Sequence, residues 1–298
     1  MSTPAPEPEE VTSPRNCALQ LIKISGSGNS FSLSLCEDSF DYVLSQVPHG
    51  MEISVVSVVG ALRSGKSFLL SFFVRFLKYR SDLDPSVSWV RTGGPFPHAI
   101  NREDTDLPGF QSRGGHRPTT TGIWIWSEPF IEEKPGGGKM AVLLLDTQGV
   151  FDGTTPPCLA TGIFSVSTLL SSCQIYNVEK RIQEDHLEHL ALFSQYGQAT
   201  YSKYQQDAAA TVGGGWRAAV AKMFSRTNGD PTNRGESQRP FQRLEFLVRD
   251  YQNYEDMTRP AEELREEMKR YLDGFMSHED VRDFQDTRLL FVPATCLC

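Results

Sequence analysis

The sequence lacks the features that identify a disulfide scaffold, a zinc module or a membrane span. Its six cysteines form no Cys-x-x-Cys pair, and no apolar signal segment precedes them, so we expect neither a disulfide framework nor a zinc site. No run approaches the roughly 18 apolar residues that a membrane helix needs, because the nearest, Phe68 to Leu77, is interrupted by Ser71 and Arg75. These absences predict a cytoplasmic chain without a transmembrane segment.

Basic residues are also scarce relative to acidic ones. The chain has 29 Lys and Arg against 37 Asp and Glu, a net charge of −8, which argues against nucleic acid as a partner. The remaining composition, 39% hydrophobic and 22% charged residues over 298 positions, is that of a globular protein with room for one large core.

Three stretches have a composition that is not typical of a packed core. The proline-rich and acidic residues 1–16 predict a disordered tail, which leaves 17–298 as the folded domain. The polar stretch 80–118 is too long for a simple connection and is expected to be a functional loop. Residues 198–239, rich in Gly, Ala and polar side chains, are expected to be a mobile insertion.

Hydrophobic periodicity indicates alternating strands and helices. Strands are predicted at 17–24, 31–35, from 53 onward, 123–127, 140–145, 241–248 and 289–292. Helices are predicted at 39–47, 67–79, 159–172, 179–196 and 261–275. This order predicts a single α/β domain with a mostly parallel central sheet flanked by helices, and a ligand at the C-terminal ends of the strands.

The most informative stretch, Ile53 to Leu70, runs from an apolar strand through GALRSGKS into a helix. Its glycines let backbone N–H groups surround phosphates, its lysine reaches the outer phosphates, and its small hydroxyl can ligate Mg²⁺. The alternative, a glycine turn without nucleotide, fits the strand and helix context less well. We therefore predict a P-loop NTPase whose nucleotide contacts include Ser64, Gly65, Lys66, Ser67 and Phe68.

A second motif, DTQG at 146–149, ends the apolar run 140–145. A strand-end aspartate can hold Mg²⁺, and a glycine N–H three residues later can meet a γ-phosphate. The hydroxyls just before the strand at 123 fit a switch loop that reaches the metal, although a turn would have the same composition. The predicted metal ligands are Ser67, Thr120 and Asp146, and the motif adds Gln148 and Gly149 to the nucleotide contacts.

Catalysis cannot follow the Ras pattern, in which a glutamine follows the glycine of this motif, because Val150 stands there. Arg63 is the candidate instead, since a guanidinium within the P-loop can fold over the phosphates as an arginine finger. An exposed loop arginine without a role is the alternative. The predicted catalytic residues are Arg63 and Lys66.

The base-reading residues are predicted at the end of the strand 241–248. The Asn/Thr-Lys-x-Asp box is missing there, and Arg249-Asp250 takes its place. An aspartate carboxylate accepts both N1–H and N2–H of guanine, and an arginine packs flat against a base. Strand-end Arg-Asp is also common in ordinary turns.

Four stretches, GALRSGKSFLL, TTGIWIWSE, AVLLLDTQGVFD and FLVRD, resemble the G domain of the atlastins, in the dynamin-like group that also holds the guanylate-binding proteins. The resemblance runs from about Leu19 to Val292. It implies a Mg²⁺-dependent GTPase that binds GTP and GDP and whose G domains pair, as homodimer or heterodimer, on binding GTP. It also implies Arg63 as the finger, Ser67 and Asp146 around Mg²⁺, Thr120 in switch I, and Arg249 with Asp250 at guanine.

The resemblance also leaves alternatives open. Family members continue into a guanine-capping loop, a helical bundle, membrane segments and a tail, and fuse endoplasmic-reticulum membranes, whereas this sequence ends at Cys298 and carries extra residues between 196 and 240. Association with that membrane would then be at most peripheral. A natural short form, a fragment, a regulatory module that pairs with full-length atlastin-like partners without turnover, and an ATPase are all compatible with the sequence. Prenylation at Cys296 and Cys298 is a further alternative.

Overall fold

The computed structural model describes residues 15–27, 30–79, 109–111, 120–134, 136–149, 155–180, 182–183, 186, 188–190, 192, 241–249, 263, 266, 270 and 284–292. The strands in these ranges are β1 Ala18–Ser27, β2 Ser30–Leu35, β3 Glu52–Gly60, β4 Ile123–Trp126, β5 Phe130–Glu133, β6 Lys139–Thr147, β7 Cys173–Glu179, β8 Phe241–Arg249 and β9 Phe284–Val292. The helices with defined bounds are α1 Glu37–Ser45, α2 Lys66–Tyr79 and α3 Pro157–Leu170.

The nine strands join one sheet in the order β2-β1-β4-β6-β3-β7-β8-β9, with β5 paired to β6 beside β4. The strands β6, β3, β7, β8 and β9 run parallel to one another, whereas the β2–β1, β1–β4, β4–β6 and β5–β6 pairs are antiparallel. The predicted mostly parallel sheet is therefore correct for the part that holds the P-loop strand β3. The antiparallel strands make the complete sheet a mixed one.

Two apolar layers cover the faces of the sheet. Side chains of α1 and α3, such as Val43 and Ile163, pack on one face against Val55 of β3 and Leu143 of β6. Side chains of α2, such as Val74, pack on the other face against Val58 and Leu144. Helix α3 is buried along almost its whole length, which fits its lack of charged residues. The helices on the two faces keep the C-terminal ends of β3, β6, β7 and β8 in fixed positions relative to one another.

The α/β fold class predicted from the sequence is confirmed, and the described strands and helices fall within a few residues of most predicted ones. Two strands were missed. The segment β7, Cys173–Glu179, lies between the predicted helices 159–172 and 179–196, and β5 lies between the predicted strands 123–127 and 140–145.

The described residues of 179–196 and 261–275 contain helical positions at 186, 188–190, 192, 263, 266 and 270. The predicted tail lies outside the described residues up to position 14, as do the insertion 198–239 and all but residues 109–111 of the predicted loop. The division into tail, domain and insertion stays a prediction. Among the described residues, no helix is both long and apolar enough to cross a membrane.

Candidate nucleotide-binding site

The P-loop joins the end of β3 at Gly60 to the start of α2 at Lys66. Its backbone turns sharply, since Gly60, Arg63 and Gly65 have φ angles of 147°, 64° and 77°. A Cβ atom at Gly60 would collide with the carbonyl oxygen of Asn177 in the neighbouring strand β7. Only glycine fits at the start of this loop, because the loop turns directly against β7.

Lys66 lies under the loop with its side chain almost fully buried. Its Nζ donates a hydrogen bond to the carbonyl oxygen of Ala61 at 2.8 Å. Burial lowers the pKa of Lys66 to about 8, against the attraction of Asp146 and with a smaller contribution from Arg249 in the same direction as burial. A buried ammonium group with so few compensating charges favours an anion at the loop.

Three oxygen-bearing side chains meet beside Lys66. Ser67 Oγ donates to Asp146 Oδ2 at 2.6 Å, Thr120 Oγ1 donates to the same oxygen at 3.2 Å, and the two hydroxyl oxygens lie 3.3 Å apart. The other carboxylate oxygen, Asp146 Oδ1, is buried and has no hydrogen-bond donor among the described residues. Burial raises the pKa of Asp146 to about 6, although Ser67, Lys66, Thr120 and the Thr147 backbone act in the opposite direction.

This donor set fits Mg²⁺. The ion takes hard oxygen ligands in small octahedral sites, and carboxylate and hydroxyl oxygens are the groups it uses in nucleotide-binding proteins. The unbonded Oδ1 of Asp146 and the raised pKa of its carboxyl group both indicate an unmet need for positive charge at this point. Ser67, Thr120 and Asp146 are therefore suitable to hold the ion, and their assignment as its ligands stays a prediction.

The pairing of β4 with β6 explains why Thr120 lies beside Asp146. These strands are antiparallel, with Trp124 opposite Asp146 and Ile123 opposite Thr147, so the residues before β4 meet those at the end of β6. Gly122 and Gln148 extend the pairing beyond Thr147: the Gln148 N–H donates to the Gly122 carbonyl at 2.8 Å.

The Gln148 side chain strengthens this junction. Gly122 N–H donates to Gln148 Oε1 at 2.9 Å, while Gln148 Nε2 donates to Thr155 Oγ1 at 3.4 Å. Gln148 as a whole is 6% exposed, and these hydrogen bonds hold its side-chain amide group in place. In this structure Gln148 therefore connects its own segment to the residues before β4.

Gly149 brings the end of β6 against the P-loop. A Cβ atom at this position would lie 2.5 Å from the Cα of Leu62 and 3.0 Å from its backbone nitrogen. Such backbone contacts cannot be relieved by a rotamer change. Glycine is needed here because two backbone segments pass each other at the distance of direct contact.

Asn177 of β7 and Arg249 of β8 approach the P-loop from the side of β3 that is opposite β6. Asn177 is opposite Gly60 in the β3–β7 pairing, and Arg249 is opposite Glu179 in the β7–β8 pairing. Asn177 Nδ2 donates to the Ser64 carbonyl at 2.7 Å and Arg249 Nε donates to Asn177 Oδ1 at 2.8 Å. Arg249 also donates through its terminal Nη2 to the Ser64 carbonyl.

The comparisons with known proteins agree with this geometry. The model of the family described as guanylate-binding protein, N-terminal domain, matches residues 35–212, which include the P-loop, Thr120, Asp146 and Asn177. The chain belongs to this family.

Members of the guanylate-binding protein family to which the chain is similar include atlastins. Human Atlastin-3 is 38% identical over 234 residues, 78% of this chain and 35% of that protein. Atlastin-2 of Macaca fascicularis is 37% identical over 236 residues, which are 79% of this chain and 33% of that protein. Drosophila melanogaster Atlastin is 40% identical over 199 residues, which are 67% of this chain and 29% of that protein. The chain spans about a third of the length of these relatives, and the predicted resemblance is confirmed.

Among solved structures, the S. cerevisiae Ski7 GTPase-like domain bound to GTP has 13% identity and a TM-score of 0.29, with 81% of this chain and 43% of that chain covered. A TM-score this low supports no inference about this chain.

Apart from Gln148 and Gly149, treated above, the predicted site residues in the described ranges fall into three groups. Lys66, Ser67, Thr120 and Asp146 meet in one cluster, and Arg249 joins Ser64 and Gly65 on the far side of the loop. Arg63 and Phe68 are both exposed on the loop and the first turn of α2, and the Phe68 ring packs edge-on against Phe72 with centroids 4.8 Å apart. Asp250 lies outside the described residues. Their assignment to nucleotide, metal or catalysis stays a prediction.

Asn177 is the site residue that the sequence analysis missed. It is 2% exposed and lies near the C-terminal end of β7, immediately beside the P-loop strand. A polar residue near the end of a strand-like run, in CQIYNVE, was the available signal. It was overlooked because that run was not recognised as a strand.

Proposed function

We propose that this chain is a GTPase that binds GTP with Mg²⁺ and hydrolyses it to GDP and phosphate. The observation that carries the proposal is the cluster at the P-loop, in which the buried Lys66 and Asp146 meet the half-buried Ser67 and Thr120. Its ammonium group, hydroxyls and partly unbonded carboxylate are the groups that bind a triphosphate and its metal ion. The family description, guanylate-binding protein, supports guanine as the base.

Each part of the cluster has a chemical role in this proposal. Lys66 exchanges its bond to the Ala61 carbonyl for the outer phosphates, and the loop N–H groups bind their oxygens. Ser67, Thr120 and Asp146 hold Mg²⁺, which when bound offsets negative charge on the phosphate oxygens. Gly149 N–H is assigned to the γ-phosphate.

Arg63 supplies the charge that the transition state needs. Water attacks the γ-phosphorus, the bond to the β–γ bridging oxygen breaks, and negative charge moves onto GDP. Arg63 is exposed on the loop, and its backbone is left-handed with a φ of 64°. A guanidinium group there can fold over the phosphates, as an arginine finger in the same chain does.

Arg249 and Asp250 are assigned to the guanine base, the arginine by packing and the carboxylate by accepting N1–H and N2–H. Phe68 and Gln148 complete the proposed nucleotide contacts. The likeness to atlastins also supports two further proposals: pairing of G domains in the GTP-bound state, as homodimer or heterodimer, and a peripheral place at the endoplasmic-reticulum membrane.

Phosphate release from GTP tests the catalytic proposal. With Mg²⁺ and excess GTP, we expect turnover by the wild-type chain and a loss of at least a hundredfold in Arg63→Ala, because arginine fingers contribute about 10³ or more to the rate. Affinity for GDP should change by less than about threefold, since the finger acts on charge that develops during the reaction. The exposed Arg15, at the start of the described chain, gives the matched control Arg15→Ala. Full activity in Arg63→Ala would exclude the finger role.

Turnover per chain as a function of protein concentration tests the pairing. If G domains pair during the reaction, specific activity should rise with concentration and reach a plateau. A specific activity independent of concentration would reject pairing as a requirement. Nucleotide binding and association with a full-length atlastin, without any turnover, would replace the GTPase proposal by that of a regulatory module.

A further inference from the structure

We infer that Asn177 is a positioning residue that orients Arg249 to pack against the bound base and thereby raises the affinity for the nucleotide. This inference rests on the proposed function, because it needs Arg249 to contact the base. It begins from a closed set of hydrogen bonds among Asn177, Arg249 and the Ser64 carbonyl.

The amide group of Asn177 bonds in two directions. Its Nδ2–H donates to the Ser64 carbonyl at 2.7 Å, and its Oδ1 accepts from Arg249 Nε at 2.8 Å. Arg249 Nη2 donates to that same carbonyl. One edge of the guanidinium group is therefore fixed at two atoms, and a planar group fixed along one edge has little freedom to rotate.

The fixed guanidinium lies face-on to Gly65. Its Nη1, Cζ and Nη2 atoms are 3.6, 3.9 and 4.0 Å from the position that a Gly65 Cβ would occupy, and three nearly equal distances indicate that the plane faces the loop. Arg249 is half-buried. Asn177 therefore holds the guanidinium plane beside the P-loop. A nucleotide whose phosphates contact Lys66 would have its base close to this plane.

The fold makes this orientation specific. Asn177 is directly opposite Gly60 in the parallel pairing, and its carbonyl oxygen occupies the space that a side chain at Gly60 would need. The backbone of β7 therefore fixes Asn177 against the loop, and the Asn177 side chain extends this register to Arg249 on the next strand. Asn177 is 2% exposed, so water cannot replace it as the acceptor for Arg249 Nε.

Fluorescent methylanthraniloyl-GDP and methylanthraniloyl-ADP, titrated with Mg²⁺, test the inference on the whole chain. We expect Asn177→Ala to lower GDP affinity about tenfold, since a hydrogen bond to a charged group contributes about one order of magnitude in binding. The ratio of GDP to ADP affinity should stay close to that of the wild type, because an arginine can pack against either base. Asn177→Asp keeps an acceptor for Arg249 and should lose less affinity than Asn177→Ala. The control Asn16→Ala removes an exposed asparagine that bonds Lys78, and its affinities should equal those of the wild type.

A double-mutant comparison separates positioning from general damage to the loop. If Asn177 acts through Arg249, then Asn177→Ala combined with Arg249→Ala should lose no more nucleotide affinity than Arg249→Ala alone. Unchanged GDP affinity in Asn177→Ala, or additive losses in the double variant, would overturn the inference.

A measurement on the nucleotide-free protein distinguishes a failure of this inference from a failure of the proposed function. In the ¹⁵N spectrum, the Nε–H signal of Arg249, identified by its absence in Arg249→Lys, should be protected from solvent in the wild type and lost in Asn177→Ala. If the wild type binds neither nucleotide, the proposed function fails and the role in nucleotide affinity falls with it. The positioning of Arg249 is then still decided by this signal: its persistence in Asn177→Ala rejects the contact.

Discussion

At the scale of single residues, the buried charges of the site oppose the stability of the ligand-free chain. Burial raises the pKa of Asp146 to about 6 and lowers that of Lys66 to about 8, so each charged form is less favourable in the folded state than in the unfolded one. Around neutral pH both residues nevertheless carry charge. Ligands of opposite charge, a cation for Asp146 and an anion for Lys66, would relieve this cost.

Asp146→Asn should therefore stabilise the ligand-free protein at pH 7 by roughly 1–3 kcal/mol. Because the folded-state pKa of Asp146 is raised, the folded state binds the proton more tightly than the unfolded state does. The wild type should lose this part of its stability as pH rises from about 4 to 6. Urea denaturation of both proteins across this pH range measures the difference.

The control for this prediction is Glu133→Gln, which removes an exposed carboxylate of β5 and should leave the pH dependence unchanged. The same Asp146→Asn variant should lose the Mg²⁺ dependence of nucleotide binding. A lower stability of Asp146→Asn at pH 7 would contradict the assignment of the raised pKa to burial.

Gly149→Ala should weaken nucleotide binding at least tenfold and destabilise the chain by roughly 1–3 kcal/mol. The added methyl group would lie 2.5 Å from the Leu62 Cα, so the P-loop backbone has to move. Nucleotide titration and urea denaturation measure the two effects.

Gly162→Ala is the matched control for Gly149→Ala. Gly162 lies inside α3, where a Cβ would meet the Leu33 side chain at an ordinary 3.4 Å. It should leave binding unchanged and raise stability by up to about 1 kcal/mol, because alanine favours helix. Wild-type affinity in Gly149→Ala would show that the loop backbone adapts without cost.

Most residues of the candidate site could be predicted from the sequence because they lie within local motifs. Lys66, Ser67 and Asp146 belong to such motifs, and the residues of each motif determine the local backbone conformation. Asn177 depends on neighbours far along the chain, because its partners Ser64 and Arg249 are 113 and 72 residues away. No local pattern contains that information.

At the scale of elements, α3 is joined to the sheet by a buried polar network. Ser167 Oγ lies 3.1 Å from Thr147 Oγ1 on β6, Ser171 Oγ lies 2.7 Å from Ser57 Oγ on β3, and Thr168 Oγ1 lies 2.8 Å from Gln174 Oε1 on β7. These contacts connect the helix to the strands that carry the P-loop, Asp146 and Asn177. Inside an apolar layer, they specify one register of α3 on the sheet.

Thr168→Val should destabilise the protein by about 1–3 kcal/mol, because it leaves the buried Gln174 Oε1 without its hydroxyl partner. Thr161→Val is the matched control. Thr161 bonds the carbonyl four residues earlier, Pro157, as Thr168 bonds Phe164, and no contact of Thr161 with a strand is among its described hydrogen bonds. Its loss should cost less than about 1 kcal/mol by thermal denaturation. Equal losses in the two variants would mean that the Gln174 contact adds nothing.

The same network explains why β7 was missed from the sequence. The strand is short and contains the polar residues Gln174 and Asn177, both buried, so it shows no continuous apolar run and no strand was predicted between the two helices. Long-range hydrogen bonds satisfy both side chains inside the protein, and propensity does not describe such bonds. By contrast β6 is a continuous apolar run, and a strand with both faces covered has that composition.

At the scale of the whole molecule, ligand binding should appear as increased stability. If Mg²⁺ and GDP bind only the folded chain, a concentration of 100 times the Kd raises the free energy of unfolding by about 2.7 kcal/mol. Differential scanning fluorimetry should then show a higher Tm with GDP and Mg²⁺, a smaller rise after chelation by EDTA, and little change with ADP. A larger shift with ADP than with GDP would reverse the proposed base preference and favour an ATPase.

The junction between Gly122 and Gln148 has a consequence for how the ligand-free domain opens. Two hydrogen bonds join these residues, which are 26 positions apart in the chain, and Thr120 and Asp146 lie immediately beside them. A local unfolding event that releases one segment must break the bonds of the other, so the two behave as one cooperative unit in hydrogen exchange. Any ligand that steadies residues 120–122 then steadies 146–148 as well, and the coupling is reciprocal.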